Sequence, residues 1–164
     1  ARGRRRRIPR TQPPLLRAAH TAHGSSLSPA VHASLLARGR RFPAALEALA
    51  VASRIDLDDL TGSTAGGLHL ATMGGLWQAL VTGIAGVRPS VGRLVVDPHM
   101  PPEWTSLEVR VRFHGSRVRV RIDEDRFSVH ADDVVDIEVG GVRFRAGPGG
   151  VAFIATASGW ERSP

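Results

Sequence analysis

The chain has 164 residues, of which 42% are hydrophobic and only 5% aromatic, and it contains neither cysteine nor tyrosine. That is enough for one ordinary domain or two small ones with a core of Leu, Val, Ala and Ile, and it excludes disulfides and thiolate-bound metals. The net charge of +7 is a local matter, because residues 1–10 hold six arginines and no acid and leave the remainder at +1.

Residues 1–19 form an Arg/Pro-rich irregular segment. An arginine run can hold phosphates or nucleic acid, but this one has no interleaved aromatics on which bases could stack, and too little apolar surface to fold. Nucleic acid is therefore not an expected partner. No later stretch reaches the ~20 apolar residues of a membrane span, and prolines follow the basic run where a secretory signal would carry an apolar core. A cytoplasmic protein without membrane contact is expected. The first residue is Ala rather than Met, which suits a fragment or a processed product.

Residues 20–90 read as helical. Ser28-Pro29 predicts a helix start, with Ser capping the free amides and Pro in the first turn. Val31, Leu35 and Leu36 give that helix an apolar face, and it should end near Gly39. Pro43 opens a second helix, with Leu46, Leu49 and Ala50 on one face and Glu47 exposed. Asp56 to Gly67 has no period and reads as a loop, long enough to line a site. Leu68 to about Ile84 reads as a third helix with Gly74-Gly75 inside it. Internal glycines cost roughly 1 kcal/mol each, so another backbone or a ligand should pack closely there. Its small polar face predicts burial within a larger body.

Residues 91–164 switch to period two. Leu107, Val109, Val111 and Phe113 alternate with Glu108, Arg110, Arg112 and His114. After Gly115-Ser116 the alternation resumes at Val118, Val120 and Ile122, which predicts a hairpin with one apolar and one wet face. Shorter strands are predicted at Arg126–Val129, Val134–Val139 and Val142–Arg145, with a tight turn at Gly140-Gly141. The arginine ladder reads as the solvated face, balanced by Glu108, Asp123, Glu124 and Asp125.

Several residues invite a chemical reading. Gly24, Ser25, Ser26 and Ser28 precede the Pro29 helix, and hydroxyls and amides at a helix start can receive an anion. By spacing alone, capping that helix is the favoured role of these serines. His69 follows Gly66-Gly67 at the start of an apolar helix, where it can donate to an anion, although taken alone it reads first as a satisfied core histidine. Asp56, Asp58 and Asp59 fit turns and capping better than a metal. His20, His23 and His32 match no closed zinc set. A triad of Ser25, His69 and Asp58 lacks a nucleophile elbow.

Several of these residues recur within longer motifs. In order along the chain stand His23-Gly24-Ser25-Ser26-Leu27-Ser28, Ser53-Arg54-Ile55-Asp56-Leu57-Asp58-Asp59, Gly67-Leu68-His69-Leu70-Ala71-Thr72-Met73-Gly74-Gly75-Leu76-Trp77-Gln78-Ala79 and Gly83-Ile84-Ala85-Gly86-Val87-Arg88. A link from Arg93 to Trp104 follows. Together they resemble the C-terminal part of glycoside hydrolase family 65, which includes maltose, trehalose and kojibiose phosphorylases. The resemblance covers residues 20–125 and extends more weakly to the end.

The resemblance implies an α+β chain in which residues 20–90 are the last helices of an (α/α)6 catalytic barrel and residues 91–164 a small antiparallel β-sheet or sandwich domain. It implies phosphorolysis of an α-glucosidic disaccharide to β-glucose 1-phosphate with inversion. Inorganic phosphate is then the co-substrate, and no other cofactor is implied. Ser25, Ser26 and His69 match positions that hold this phosphate, and Trp77 would pack near the barrel core. No segment here matches the family's acid-bearing motif or its lysine motif, so the chain is expected to carry a phosphate half-site without the general acid Glu and to be inactive alone. Residues 1–19 do not resemble the family, which fits a truncated gene or a frame junction near His20. Intact members are expected to form homodimers. Two alternatives stand beside this reading: a family 65 hydrolase fragment, and a non-catalytic carbohydrate- or protein-binding module on residues 91–160, with Trp104 and Trp160 as its aromatic platform.

Overall fold

The computed structural model describes residues 25–164. The arginine tail, His20, His23 and Gly24 lie outside the described residues.

Three helices come first: α1 (Ser28–Arg38), α2 (Phe42–Arg54) and α3 (Leu70–Gln78), the last continuing as a π-helical turn over Ala79–Ile84. The stripe that α1 buries is Ala30, Ala33 and Ala37, whereas Val31 and Leu35, the expected inner face, point outward. On α2 the buried residues are Ala45 and Ala52, Glu47 is exposed as expected, and Ala50 is exposed against expectation. Small side chains win these positions because they let helix axes approach. Gly75 in α3 shows how close the approach is: a Cβ added there would lie 2.9 Å from the Ala30 Cβ, and one at Gly83 would lie 2.8 Å from the Ser34 Cα. Both contacts advance in the same direction along the two helices, so α1 and α3 run in the same sense. Ser28 does not cap α1. The N-cap position is Leu27, and no side chain bonds the first amides; with Pro at the second helical position, one of those amides is absent in any case.

The strand region begins at Val87, within the segment read as helical. One sheet has the order β1 (Val87–Ser90), β2 (Arg93–Val96), β6 (Val135–Val139), β7 (Val142–Ala146), with β2 and β6 parallel. The other has the order β3 (Ser106–Phe113), β4 (Ser116–Asp123), β5 (Arg126–Ala131), β8 (Val151–Thr156), β9 (Gly159–Arg162), all antiparallel. The expected β3–β4 hairpin forms, and its register sets Val109 opposite Val120 and Val111 opposite Val118. Alternation along β4 is complete: Val118, Val120 and Ile122 are buried, while Arg117, Arg119 and Arg121 are exposed.

The two sheets share one core. Leu94, Val96, Ile137 and Val139 from the first meet Val120, Phe127, Val129 and Phe153 from the second. Phe153 stacks on Phe127 at 4.7 Å and meets Phe144 edge-on at 5.0 Å, which ties the sheets together. Trp160 packs edge-on against Phe127 at 4.9 Å, and Trp104 packs against the small cluster of Ala37, Ala45 and Ile84 that seats the helices on the strands. Neither tryptophan forms the exposed platform expected of a carbohydrate-binding module. The joint itself runs through Gly86, whose φ is +65°, and through Asp97 and His99. The His99 amide donates to the Ile84 carbonyl at 2.8 Å, and its Nε2 lies 3.1 Å from Asp97 Oδ2. That hydrogen bond, with help from Arg88 and Arg40, holds the Asp97 carboxyl below the ordinary aspartate value.

Candidate functional site

Because α1 and α3 run in the same sense, their N-termini open at the same end of the helical unit. Ser25 and Ser26 immediately precede α1, and His69 occupies the N-cap position of α3. Each helix offers the partial positive charge of its first amides, and neither carries a side-chain cap. Ser26 is half-buried and Ser25 exposed; the Ser25 carbonyl accepts from the Ser28 amide at 3.3 Å. The three expected phosphate residues thus share an end of the structure. Among the described residues, however, no hydrogen bond joins His69 to either serine.

His69 is instead held by the loop that precedes it. Its Nδ1 lies 2.6 Å from Asp56 Oδ1, and its backbone amide donates to Asp56 Oδ2 at 3.0 Å. Both side chains are largely withdrawn from solvent, at 22% and 7% exposure. Thr64 Oγ1 stands 3.5 Å from the same carboxylate. On the far side of the ring, Ser63 Oγ lies 3.3 Å from Nε2 and 2.7 Å from Thr61 Oγ1. The His69 hydrogen bond holds the Asp56 carboxyl below the ordinary aspartate value, with the backbone and charge of His69 and the Thr64 hydroxyl acting in the same direction against partial burial.

The three acids of this loop have separate tasks. Asp56 binds His69, Asp58 pairs with Arg54 one turn back, and Asp59 accepts from the Thr64 amide at 2.9 Å. The Thr64 amide is also what chiefly lowers the Asp59 pKa. The carboxylate partner of His69 is therefore Asp56, not the Asp58 of the triad considered from sequence. A short 3₁₀ turn, Thr64–Gly66, sits inside the loop, and Gly67 at φ +132° turns the chain into α3.

Sequence reasoning missed two members of this group: Asp56 as the partner of the imidazole, and Ser63 at its other nitrogen. The signal available was the Asp-rich run itself, but nothing in its spacing says which acid returns to a histidine thirteen positions later. Trp77, expected to pack inside a barrel, is 52% exposed among the described residues, and Leu70 is 75% exposed. No described helix is long and apolar enough to cross a membrane.

Comparison with known proteins places these elements. Residues 17–78 match the family model for the glycosyl hydrolase family 65 central catalytic domain, and residues 87–146 match the family 65 C-terminal domain. The chain is 39% identical over 106 residues to a maltose phosphorylase of Bacillus subtilis, covering 65% of this chain and 14% of that protein. It is 38% identical over 109 residues to a kojibiose phosphorylase of Halothermothrix orenii, covering 66% of this chain and 14% of the relative. An uncharacterised glycosyl hydrolase of Mycobacterium leprae is 36% identical over 133 residues, 81% of this chain and 15% of the relative. In fold, the chain superposes with a TM-score of 0.73 on a solved structure provisionally assigned as a kojibiose phosphorylase from the human microbiome, at 23% identity, over 83% of this chain and 20% of that one. The chain thus spans about a seventh of the length of the curated relatives it matches.

Proposed function

The chain belongs to glycoside hydrolase family 65, and from that premise we propose that it is the phosphate-binding side of an inverting disaccharide phosphorylase. Its helices are the last of an (α/α)6 barrel, and its sheets form the C-terminal β domain of the same enzyme. The single observation that carries this reading is the common end shared by two uncapped helix N-termini, with two serines at one and a fixed histidine at the other. A dianion requires several converging donors, and this arrangement supplies hydroxyls, amides and a ring nitrogen without a free carboxylate in their midst.

Phosphate held there attacks the anomeric carbon from the face opposite the leaving sugar, in the position that water and its base occupy in an inverting hydrolase. Ser25 and Ser26 donate to its oxygens and His69 to a third. The carboxylic acid that protonates the glycosidic oxygen belongs to a barrel segment that this sequence does not contain. The substrate of the whole enzyme is an α-glucosidic disaccharide such as maltose, trehalose or kojibiose. A second reading, a family hydrolase, has support from the mycobacterial relative; it requires a carboxylate base where the two serines and His69 stand.

Titration calorimetry with inorganic phosphate on the wild-type chain and on the Ser25→Ala/Ser26→Ala double variant tests the proposal. Saturable binding that disappears in the variant is expected. Equal heats in both proteins would remove the serines from the site, and an absence of binding in the folded wild type would favour the hydrolase reading.

A further inference from the structure

The established resemblance gives His69 a role and leaves Asp56 without one. Three contacts converge on that carboxylate: the His69 ring at 2.6 Å, the His69 amide at 3.0 Å, and the Thr64 hydroxyl at 3.5 Å. A carboxylate that takes both the backbone and the ring of one histidine fixes two things at once. It sets the backbone at the start of α3, and it sets the plane and the tautomer of the imidazole. An ionised carboxylate has no proton to give, so the proton in the ring contact must belong to Nδ1. The other nitrogen, Nε2, is then the atom presented outward, toward Ser63.

We propose that Asp56 is a positioning residue: it holds His69 with Nδ1–H directed into its carboxylate, so that Nε2 alone meets the anion. This inference rests on the phosphate reading for its purpose, though the tautomer it requires does not. Whenever the ring is neutral, Nε2 carries a lone pair and accepts from the Ser63 hydroxyl. With an orthophosphate dianion in place, the ring carries both protons, one shared with the Asp56 carboxylate and one with a phosphate oxygen. The proton that joins Nε2 comes from solvent or from monobasic phosphate, and no bond other than N–H and O–H changes. Asp59 also faces this ring with its charge, but its oxygen is taken by the Thr64 amide. Among the described residues, Asp56 is thus the one acid in direct contact with the imidazole, whose other nitrogen meets the Ser63 hydroxyl.

Replacing the carboxylate with an amide makes the consequence visible. In Asp56→Asn, the side-chain oxygen can still accept the His69 amide, which turns the NH2 group toward Nδ1. A donor at that position favours the lone pair on Nδ1 and moves the ring proton to Nε2, the tautomer reversal seen when a carboxylate beside a catalytic histidine becomes an amide. The ring then offers a neutral Nε2–H. Charge-assisted hydrogen bonds are roughly twice as strong as neutral ones, so phosphate affinity should fall by about tenfold.

The experiment is nitrogen-15 correlation spectroscopy of the imidazole in the full chain, with and without inorganic phosphate at matched ionic strength, for wild type, Asp56→Asn and Asp56→Glu. Wild-type His69 is expected to show the Nδ1–H tautomer alone and both nitrogens protonated with phosphate. The Asn variant should show Nε2–H, and the Glu variant should recover part of the wild-type pattern. Amide signals of Val120 and Val129 report whether each variant remains folded. A neutral wild-type ring with its proton on Nε2, or an unchanged tautomer in folded Asp56→Asn, overturns the inference outright. If wild type shows the Nδ1–H tautomer and the variant reverses it while neither responds to phosphate, Asp56 positions His69 and the phosphate reading fails on its own.

Discussion

Gly86 is the position at which a single methyl group should separate the helices from the sheets. It lies between the π turn and β1 with φ +65°, and a Cβ built there would stand 1.8 Å from the Asp97 carbonyl oxygen and 2.3 Å from the carbonyl carbon. The Gly86 carbonyl also accepts from the Asp97 amide at 3.2 Å, so the two backbones are tied and cannot part without losing that bond. Two costs arise on substitution to Ala. The left-handed backbone costs roughly 1–2 kcal/mol in any non-glycine residue, and relieving the overlap by shifting backbone costs about 1–3 kcal/mol more. Gly92, in the turn between β1 and β2, isolates the first term: its φ is +70°, and a Cβ there meets nothing within 4 Å. Gly86→Ala is therefore expected to lose about 2–5 kcal/mol and Gly92→Ala about 1–2 kcal/mol, out of a total near 5–15 kcal/mol for a protein of this kind. Urea unfolding followed by tryptophan fluorescence and by far-ultraviolet dichroism measures both. Equal losses in the two variants would show that Asp97 yields without cost and that Gly86 is not a steric joint.

Two further outcomes follow from named contacts. Arg119 stands directly opposite Arg110 across β3 and β4, and like charges so placed repel; Arg119→Thr should raise stability by about 0.2–1 kcal/mol, more at low salt, and a loss on substitution would show that the arginine holds an attractive contact. Asp56 and Asp59 both sit below the ordinary aspartate value of 3.8. The folded loop thus binds fewer protons than the unfolded chain in acid, and the stabilisation is complete above pH 3.8 and lost as pH falls through the lower folded values. Hydrogen exchange at the Thr64 and His69 amides, which donate to these carboxylates, should accelerate below pH 3.8 while the β4 amides hold. Uniform exchange across both regions would contradict this.

How much of this was legible beforehand depends on the kind of order involved. The β3–β4 hairpin was readable because its alternation runs unbroken on both sides of Gly115, and a period of two fixes both register and face. Strands β8 and β9 were not singled out, since Val151–Thr156 is apolar at five consecutive positions and carries no alternation. The parallel pairing of β2 with β6 joins residues more than forty positions apart, a distance over which local pattern is silent. On α1 the helical period was read correctly, and Leu36 packs inward against Ala37, Ala45 and Ile84, but Val31 and Leu35 were set on the wrong face. Val31 and Leu35 have the greater hydrophobicity, yet Ala30, Ala33 and Ala37 permit the closer packing. Family motifs indicated Ser25, Ser26 and His69 as a set, whereas the Asp56 contact depends on how an aperiodic loop closes, which no periodicity encodes.

The two halves of the chain differ in how completely they bury themselves, and this bears on the site. The β half closes its own core, with Phe127, Phe153, Val96, Val120, Val129 and Ile137 all at or below 1% exposure. The helical half buries mostly alanines, with Ile55, Val81 and Ile84 beside them, and leaves Val31, Leu35, Leu57, Leu60, Leu68, Leu70 and Trp77 exposed. Such a surface, if contiguous, is one that folded proteins cover. What fixes α3 comes from its far end, where Ile84 packs with Trp104 against Ala37 and Ala45, and its carbonyl receives the His99 amide. The His69 end has no equivalent seat in the sheets and depends on the loop carboxylates instead. The polar network around Asp56 and Asp59 thus does locally what packing does at the other end of the helix. A buried hydrogen-bonded carboxylate defines geometry more narrowly than apolar contact does, because its bonds are directional. At the end of α3 where the proposed phosphate would enter, directional bonds to a loop can fix the imidazole while leaving Nε2 reachable, and a packed core could not.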